Sequence, residues 1–297
     1  MVTARTEALH DKAVGLDARP RAEAAMILAE GQIAAAEAVR AAAPEIAQAA
    51  TALADTIRQG GVVHYVAAGS SGLMAAADAQ ELGGTFSIPP EQLSIHMAGG
   101  LPTGVEMPGG TEDDASGLEA ALSALSVSDA VILVSASGTT PYTLEALRLA
   151  KQVGAVTIGI ANNAGSALLK DANHSILLET PPEVISGSTR MGAGTAQKVA
   201  LNMLSTLMAI DLGHVHDGMM VNLRADNIKL RARAAGMVAR IASVDADAAA
   251  AALDTTDGNV KSATLVACGQ SADAAQNLLR KSEGNLRAAL ARLNCSN

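Results

Sequence analysis

Aromatic side chains are almost missing from this chain: 297 residues hold no tryptophan, one phenylalanine and two tyrosines. The core must therefore be built from Ala, Val, Leu, Ile and Met. The three aromatics, Tyr65, Phe86 and Tyr142, fall in or close to the segments that carry chemistry. Cysteine is as scarce. Cys268 and Cys295 both lie in the C-terminal part and suggest no disulfide framework. Positive charge is outnumbered, 21 Lys and Arg against 30 Asp and Glu, for a net charge of −9. That balance argues against nucleic acid as a main partner, because phosphate backbones select basic faces. No apolar run approaches the roughly 18 residues of a membrane span. Arg5, Glu7 and His10 have no apolar stretch behind them, so no secretory signal is visible. The expectation is a soluble, cytoplasmic protein.

Several catalytic signatures are absent too. No G-x-G-x-x-G follows the first strand, which speaks against a dinucleotide fold. Gly187–Gly192 has Walker-like spacing, but Ala193 stands where the lysine would be. There is no G-x-S-x-G elbow for a hydrolase triad. His214-x-His216 with Asp217 is a weak candidate for a metal, and structural histidines are the commoner reading.

Hydrophobic residues make up 49% of the chain, enough for a well-filled core. The length fits one large α/β domain, alone or with a smaller appendage. Residues 1–20 read as an irregular arm. Arg21 to about Gly60 is helical and Ala-rich, with Pro44 separating two helices. Then short apolar runs alternate with helical patterns. Strands are expected at Val62–Ala67, Leu93–Met97, Ala130–Val134, Ala155–Ala161 and His174–Leu178. Helices are expected at Gly72–Leu82, Glu112–Leu125, Tyr142–Val153 and Thr195–Leu212. This alternation implies an α/β fold with a mainly parallel sheet covered on both faces. From about Ser243 short amphipathic segments, Asp245–Leu253 and Ala272–Leu293, suggest a small helical appendage. The expected division is an arm with helices over 1–60, the α/β domain over 61–240 and the helical subdomain over 241–297.

Two segments share one pattern: Val62–Gly72 and Ala130–Pro141. Each is an apolar run, a Gly/Ser/Thr turn and then a helix. That arrangement gathers small hydroxyls and free backbone N–H groups above the carboxyl end of a sheet, a setting that suits a phosphate. Four carboxylates stand out beside them. Glu81 ends the helix after the first loop and is flanked by Leu82, Gly83, Gly84, Thr85 and Phe86. Asp78 lies one turn earlier, Glu112 follows Gly109-Gly110-Thr111, and Glu183 follows Pro181-Pro182. Partly desolvated carboxylates can act as acid and base next to a sugar carbonyl. The stretch Pro182–Lys198 is the most specific of all, dense in hydroxyls and glycines, with Arg190 and Lys198.

That stretch, with Ser135–Tyr142 and Leu201–Thr206, resembles the N-acetylmuramic acid 6-phosphate etherases of the sugar isomerase (SIS) superfamily. The resemblance runs from about Thr6-Glu7 to the C-terminal helices. It implies a SIS-type three-layer α/β/α sandwich and a homodimer in which each crevice is finished by the neighbour. It also implies lyase-type cleavage of the D-lactyl ether, with no metal or organic cofactor. The partner would be a phosphorylated sugar, with neither nucleic acid nor membrane involved. By resemblance Glu81 would protonate the departing ether oxygen and Glu112 would take the C2 proton. Ser70, Ser71, Ser135, Ser137 and Thr140 match the hydroxyls expected on phosphate, and Glu183, Ser188 and Lys198 complete the expected substrate-binding set. The chain departs from the family at three cationic positions, where Leu73, Thr139 and Gly192 stand. Each charge-assisted hydrogen bond so lost would remove roughly 1.5–3 kcal/mol, enough to shift the substrate. The same machinery without a leaving group would give an aldose–ketose isomerase, and without turnover a sugar-phosphate-binding regulator.

Overall fold

The computed structural model describes residues 5–107 and 109–293, so Cys295 lies outside the described residues. Its sheet has five strands: β1 (Val63–Ala67), β2 (Leu93–Met97), β3 (Ala130–Ser135), β4 (Val156–Ala161) and β5 (His174–Leu177). Their order is β2-β1-β3-β4-β5, and every neighbouring pair is parallel. Every residue of β1 and β3 is buried, as strands covered on both faces must be. Strand order reverses between β1 and β3, whose register aligns Ala67 with Val134. The two hydroxyl-rich segments leave these adjacent strand ends, at the switch point where open α/β sheets bind ligands.

By its contacts the chain divides into two compact units, Met1–Gln80 with Glu91–Ser205, and Glu81–Pro90 with Thr206–Asn297. The first unit holds the sheet. Before it come α1 (Arg21–Ala38) and α2 (Ala43–Arg58), and Pro44 sits in the first turn of α2, where its missing N–H costs nothing. Around the sheet are α3 (Gly69–Phe86), α4 (Leu118–Ala121), α5 (Pro141–Val153), α6 (Ala167–Asp171) and α7 (Gly192–Asp211), of which α3 and α7 run on into the second unit. Val131 and Leu133 of β3 cluster with Leu118 of α4, Ala146 and Leu147 of α5 and Leu168 of α6. Side chains alternate along a strand. Val66 joins that cluster, and its neighbour Tyr65 turns to the other face, where it meets Asp78 of α3.

Three expectations need correction. The Ser70-Ser71 turn is no loop, because α3 begins at Gly69 and both serines lie in its first turn. The helix expected over Glu112–Leu125 is a 3₁₀ turn, Thr111–Asp113, followed by the single turn of α4. Asp114 causes the break: its backbone is extended and its side chain accepts the Ser116 N–H at 2.9 Å. The third correction concerns the C-terminal helices.

These form the second unit with the end of α3. They are α8 (Ile228–Ala242), α9 (Ala246–Thr255), α10 (Val260–Ala267), α11 (Ala272–Lys281) and α12 (Leu286–Arg292). α8 starts well before the change of texture at Ser243, and neither α8 nor α10 was legible in the sequence pattern. Met237, Val238, Leu253, Val260, Leu265 and Leu286 lie in one core. All five helices open on a side-chain cap, from Asn227, Asp245, Asn259, Ser271 and Asn285 in turn. The end of α3 belongs here because Arg224 N–H donates to Gly84 O at 3.0 Å and Asn222 Nδ2 to Phe86 O at 2.9 Å.

The sheet carries a histidine pair that predicts its behaviour in acid. His64 of β1 and His96 of β2 stack with centroids 5.3 Å apart, and Nδ1 of the first lies 3.1 Å from Nε2 of the second. Burial lowers both pKa values. For His96, burial and then the neighbouring His64 bring it from 6.5 to about 4. For His64, the Asp129 carboxylate offsets part of the effect. The unfolded chain therefore binds a proton on His96 near pH 6.5, and the folded chain only near 4. Stability from this residue is present above that window and is lost as pH falls through it. A urea midpoint followed from pH 7 to pH 4 should decline, and it should decline less steeply in His96→Gln.

Candidate active site

At the end of β1 the chain turns through Gly69, at φ +55, into α3. The first N–H groups of a helix have no partner inside it, so this start presents donors and the positive end of a dipole. Ser71 is buried and Ser70 half-buried in that turn. Glu112 reaches the same place. A Cβ built on Gly69 would lie 2.5 Å from Glu112 Oε1, so the carboxylate sits over the glycine and fills the space a side chain would need. Glu81 lies on α3 as well, about three turns further on. Its side chain is exposed while Leu82 beside it is buried. The apolar flank read from the sequence thus does not enclose it within the chain.

At the end of β3 the hydroxyls form a cluster. Ser135 Oγ lies 2.8 Å from Thr140 Oγ1 and 3.3 Å from Ser137 Oγ, and it accepts the Gly138 N–H at 3.0 Å. Ser137 Oγ accepts from the N–H of Thr139 at 3.1 Å and from its hydroxyl at 3.0 Å. Hydroxyl protons rotate, so the cluster can turn them toward an anion. Gly138 has φ +69, and a Cβ there would lie 2.3 Å from Ser166 Oγ, so the turn tolerates only glycine. Asn163, in the turn after β4, ties this loop to the N-terminal arm. Its Nδ2 donates to Ala136 O at 3.3 Å and to Thr6 Oγ1 at 3.1 Å, and its Oδ1 accepts the Thr6 N–H at 3.4 Å. The arm read as irregular is therefore anchored at the second loop. A buried Thr6 paired with a turn asparagine left no signal in a single sequence.

Glu183 is engaged at the start of α7. It is 5% exposed, and its two oxygens accept the N–H groups of Gly192 and Ala193, each at 2.8 Å. It caps α7 and fills the anion position at that helix start. Glu183→Ala should lower stability by about 2–4 kcal/mol, because two buried N–H groups lose their acceptor. Urea unfolding at unchanged slope would measure it. Gly192 points at the same carboxylate: a Cβ there would lie 3.0 Å from Glu183 Oε2. A lysine at 192 would therefore start toward Glu183. Thr139, at another position where the cation is lost, is exposed and donates to Ser137 instead. Ser188 is half-buried before α7, and Lys198 is exposed on its second turn, bonded to Asn202.

His214, His216 and Asp217 do not assemble a metal site. Among the described residues no group of three or more His, Cys, Asp or Glu is placed to hold a metal ion, and Asp217 pairs with Arg287. Among the described residues no helix is long and apolar enough to cross a membrane.

Two hydroxyl-rich helix entries flanking the switch point of a parallel sheet define an α/β domain with a place suited to an anion. Residues 29–162 match the SIS domain family. A structure described as a putative phosphosugar isomerase involved in capsule formation, from Bacteroides fragilis, shares the fold with a TM-score of 0.50 at 21% identity, over 64% of this chain and 90% of that one. Similarity at the sequence level is far more specific. The N-acetylmuramic acid 6-phosphate etherase of Deinococcus radiodurans is 42% identical, over 96% of this chain and 95% of that protein. The protein of that name from Streptomyces avermitilis is 41% identical over 97% and 94%, and that of Salmonella paratyphi A is 38% identical over 96% and 97%. The chain belongs to the N-acetylmuramic acid 6-phosphate etherase family.

Proposed function

We propose that the chain cleaves the D-lactyl ether of N-acetylmuramic acid 6-phosphate, giving N-acetylglucosamine 6-phosphate and D-lactate. The observation that carries this reading is the Glu112 carboxylate lying over Gly69, at the start of the helix that presents Ser70 and Ser71. A base beside an anion cradle suits a phosphorylated sugar whose C2 proton must be removed. In this mechanism the ring opens and the C1 aldehyde acidifies C2. Glu112 takes the C2 proton. The C3–O bond breaks to a C2–C3 alkene while Glu81 protonates the leaving lactate. Water then adds at C3, with the two carboxyl groups acting in reverse. Ser135, Ser137, Thr140, Ser70 and Ser71 hold the phosphate, and Ser188 and Lys198 the sugar. The substrate's own carbonyl stabilises the carbanion, so no metal or organic cofactor takes part. The place of action is the cytoplasm, where a charged sugar phosphate is retained.

Incubation with N-acetylmuramic acid 6-phosphate, with D-lactate read through a coupled dehydrogenase, tests the reading. Ketose formation without lactate would make the protein an isomerase, and binding without turnover a regulator. We further infer a homodimer that completes each crevice from the neighbouring copy. Met26 and Ile33, seven residues apart on one face of α1, are 62% and 68% exposed, more apolar surface than a helix facing water should show. If base and acid come from different protomers, Glu81→Gln mixed with Glu112→Gln and re-equilibrated should regain about a quarter of wild-type activity. Half the dimers are then mixed, and each has one intact site. Sites contained in one protomer would regain none.

A further inference from the structure

Asp78 is a carboxylate that the proposed mechanism does not use. It lies on α3 and is 4% exposed. Its Oδ1 accepts Asn202 Nδ2 at 2.7 Å and Ser205 Oγ at 2.9 Å, and its Oδ2 accepts the Tyr65 hydroxyl at 3.1 Å. Among the described residues no cation forms an ion pair with it. Its charge finds one only at second hand. Asn202, which gives its amide N–H to Asp78, receives the Lys198 ammonium on its amide oxygen. Turning that amide round would set two acceptors and two donors face to face, so both neighbours fix its orientation.

We propose that Asp78 is a positioning residue that holds Lys198 through Asn202. The inference rests on the reading of Lys198 as a sugar contact. Lys198 and Asn202 lie one turn apart on α7, so a side chain with four rotatable bonds is tied at its tip. Ser205 and Asn202 converge on Asp78 from successive turns of α7, and Tyr65 reaches it from β1. The carboxylate thus joins the sheet, α3 and α7 at one atom group. Burial raises its pKa, and the Asn202, Ser205 and Tyr65 bonds and the Lys198 charge oppose that shift. A buried charge is poor value for stability alone, since an apolar residue of that size would serve as well or better. It is explained if an exposed cation must be held in one place. It also accounts for Asn202 and Ser205 within Leu201–Thr206, a stretch whose polar residues had no task in the sequence reading.

The test is a double-mutant cycle on D-lactate release with Asp78→Asn, Lys198→Met and the pair. Each single variant should raise KM about tenfold with a smaller change in kcat, the loss of one charge-assisted bond. The pair should be no worse than Lys198→Met alone, because Asp78 acts only through the lysine. Additive losses, or a fall in Tm with KM unchanged, would make Asp78 a purely structural residue and overturn the proposal. If the wild-type protein releases no D-lactate, the functional reading fails, and the tether is judged separately. Lys198 in the full-length Asp78→Asn protein should then react faster with an amine-directed reagent than in wild type, by peptide mapping, with the other lysines unchanged. An unchanged rate would overturn it.

Discussion

Glu112→Gln should reduce D-lactate release from N-acetylmuramic acid 6-phosphate by about 10²–10⁴-fold, with the fold and Tm intact. The side chain keeps its size and one carbonyl oxygen, so whatever it touches near Gly69 is preserved. What it loses is the ability to take a proton. Glu112 is exposed in its 3₁₀ turn, so the substitution opens no cavity in the core. The loss should therefore appear in kcat with little change in KM, the signature of an interaction made in the transition state. Exchange at C2 separates the two glutamates. In deuterium oxide, Glu81→Gln should still exchange the C2 proton, because the base remains and only the leaving group waits for its acid. Glu112→Gln should exchange none. The reverse pattern would swap their roles.

How much of this was legible beforehand follows from where the signal lies. β1 and β3 are fully buried and β-branched, so Val63–Ala67 and Ala130–Ser135 announce themselves as short apolar runs. α2 and α5 each carry a proline in the first turn, and Gly154, at φ +81, ends α5. These are local rules, and they work without knowledge of the rest of the fold. Glycine and serine set the expected starts of α3 and α7 three residues late, at Gly72 and Thr195, yet helices begin at Gly69 and Gly192, because donors left free at a helix start can be met from outside it. Glu183 does this for α7 from nine residues upstream of Gly192, across a turn that no periodicity reports. The helix expected after Glu112 failed for the opposite reason: Asp114 satisfied Ser116 locally and ended it. The candidate site was legible as residue types and not as partners. Glu183 stood out as a carboxylate near a hydroxyl-rich segment, and only distances show that both its oxygens are engaged. Asp78 stood out as well, but its three donors come from 13, 124 and 127 residues away in sequence.

Gly69→Ala is expected to separate the cost to folding from the cost to function. The backbone at Gly69 has φ +55, where an alanine costs about 1–2 kcal/mol. Its Cβ would also meet Glu112 Oε1 at 2.5 Å, far inside contact distance. The atom in the way is the tip of a long, exposed side chain, so it can swing aside without disturbing the sheet. The protein should therefore fold, with a Tm lower by a few degrees. The site should not survive equally well. A carboxylate displaced by about 1 Å from its proton loses roughly a hundredfold in rate. Kinetics with D-lactate as readout should show that loss in kcat, and the Gly69→Ala, Glu112→Gln pair should be scarcely worse than Glu112→Gln alone. Additive losses in the pair would mean that Gly69 matters through the phosphate cradle and not through Glu112. Wild-type activity in Gly69→Ala would mean that the carboxylate does its work from somewhere other than its place over α3.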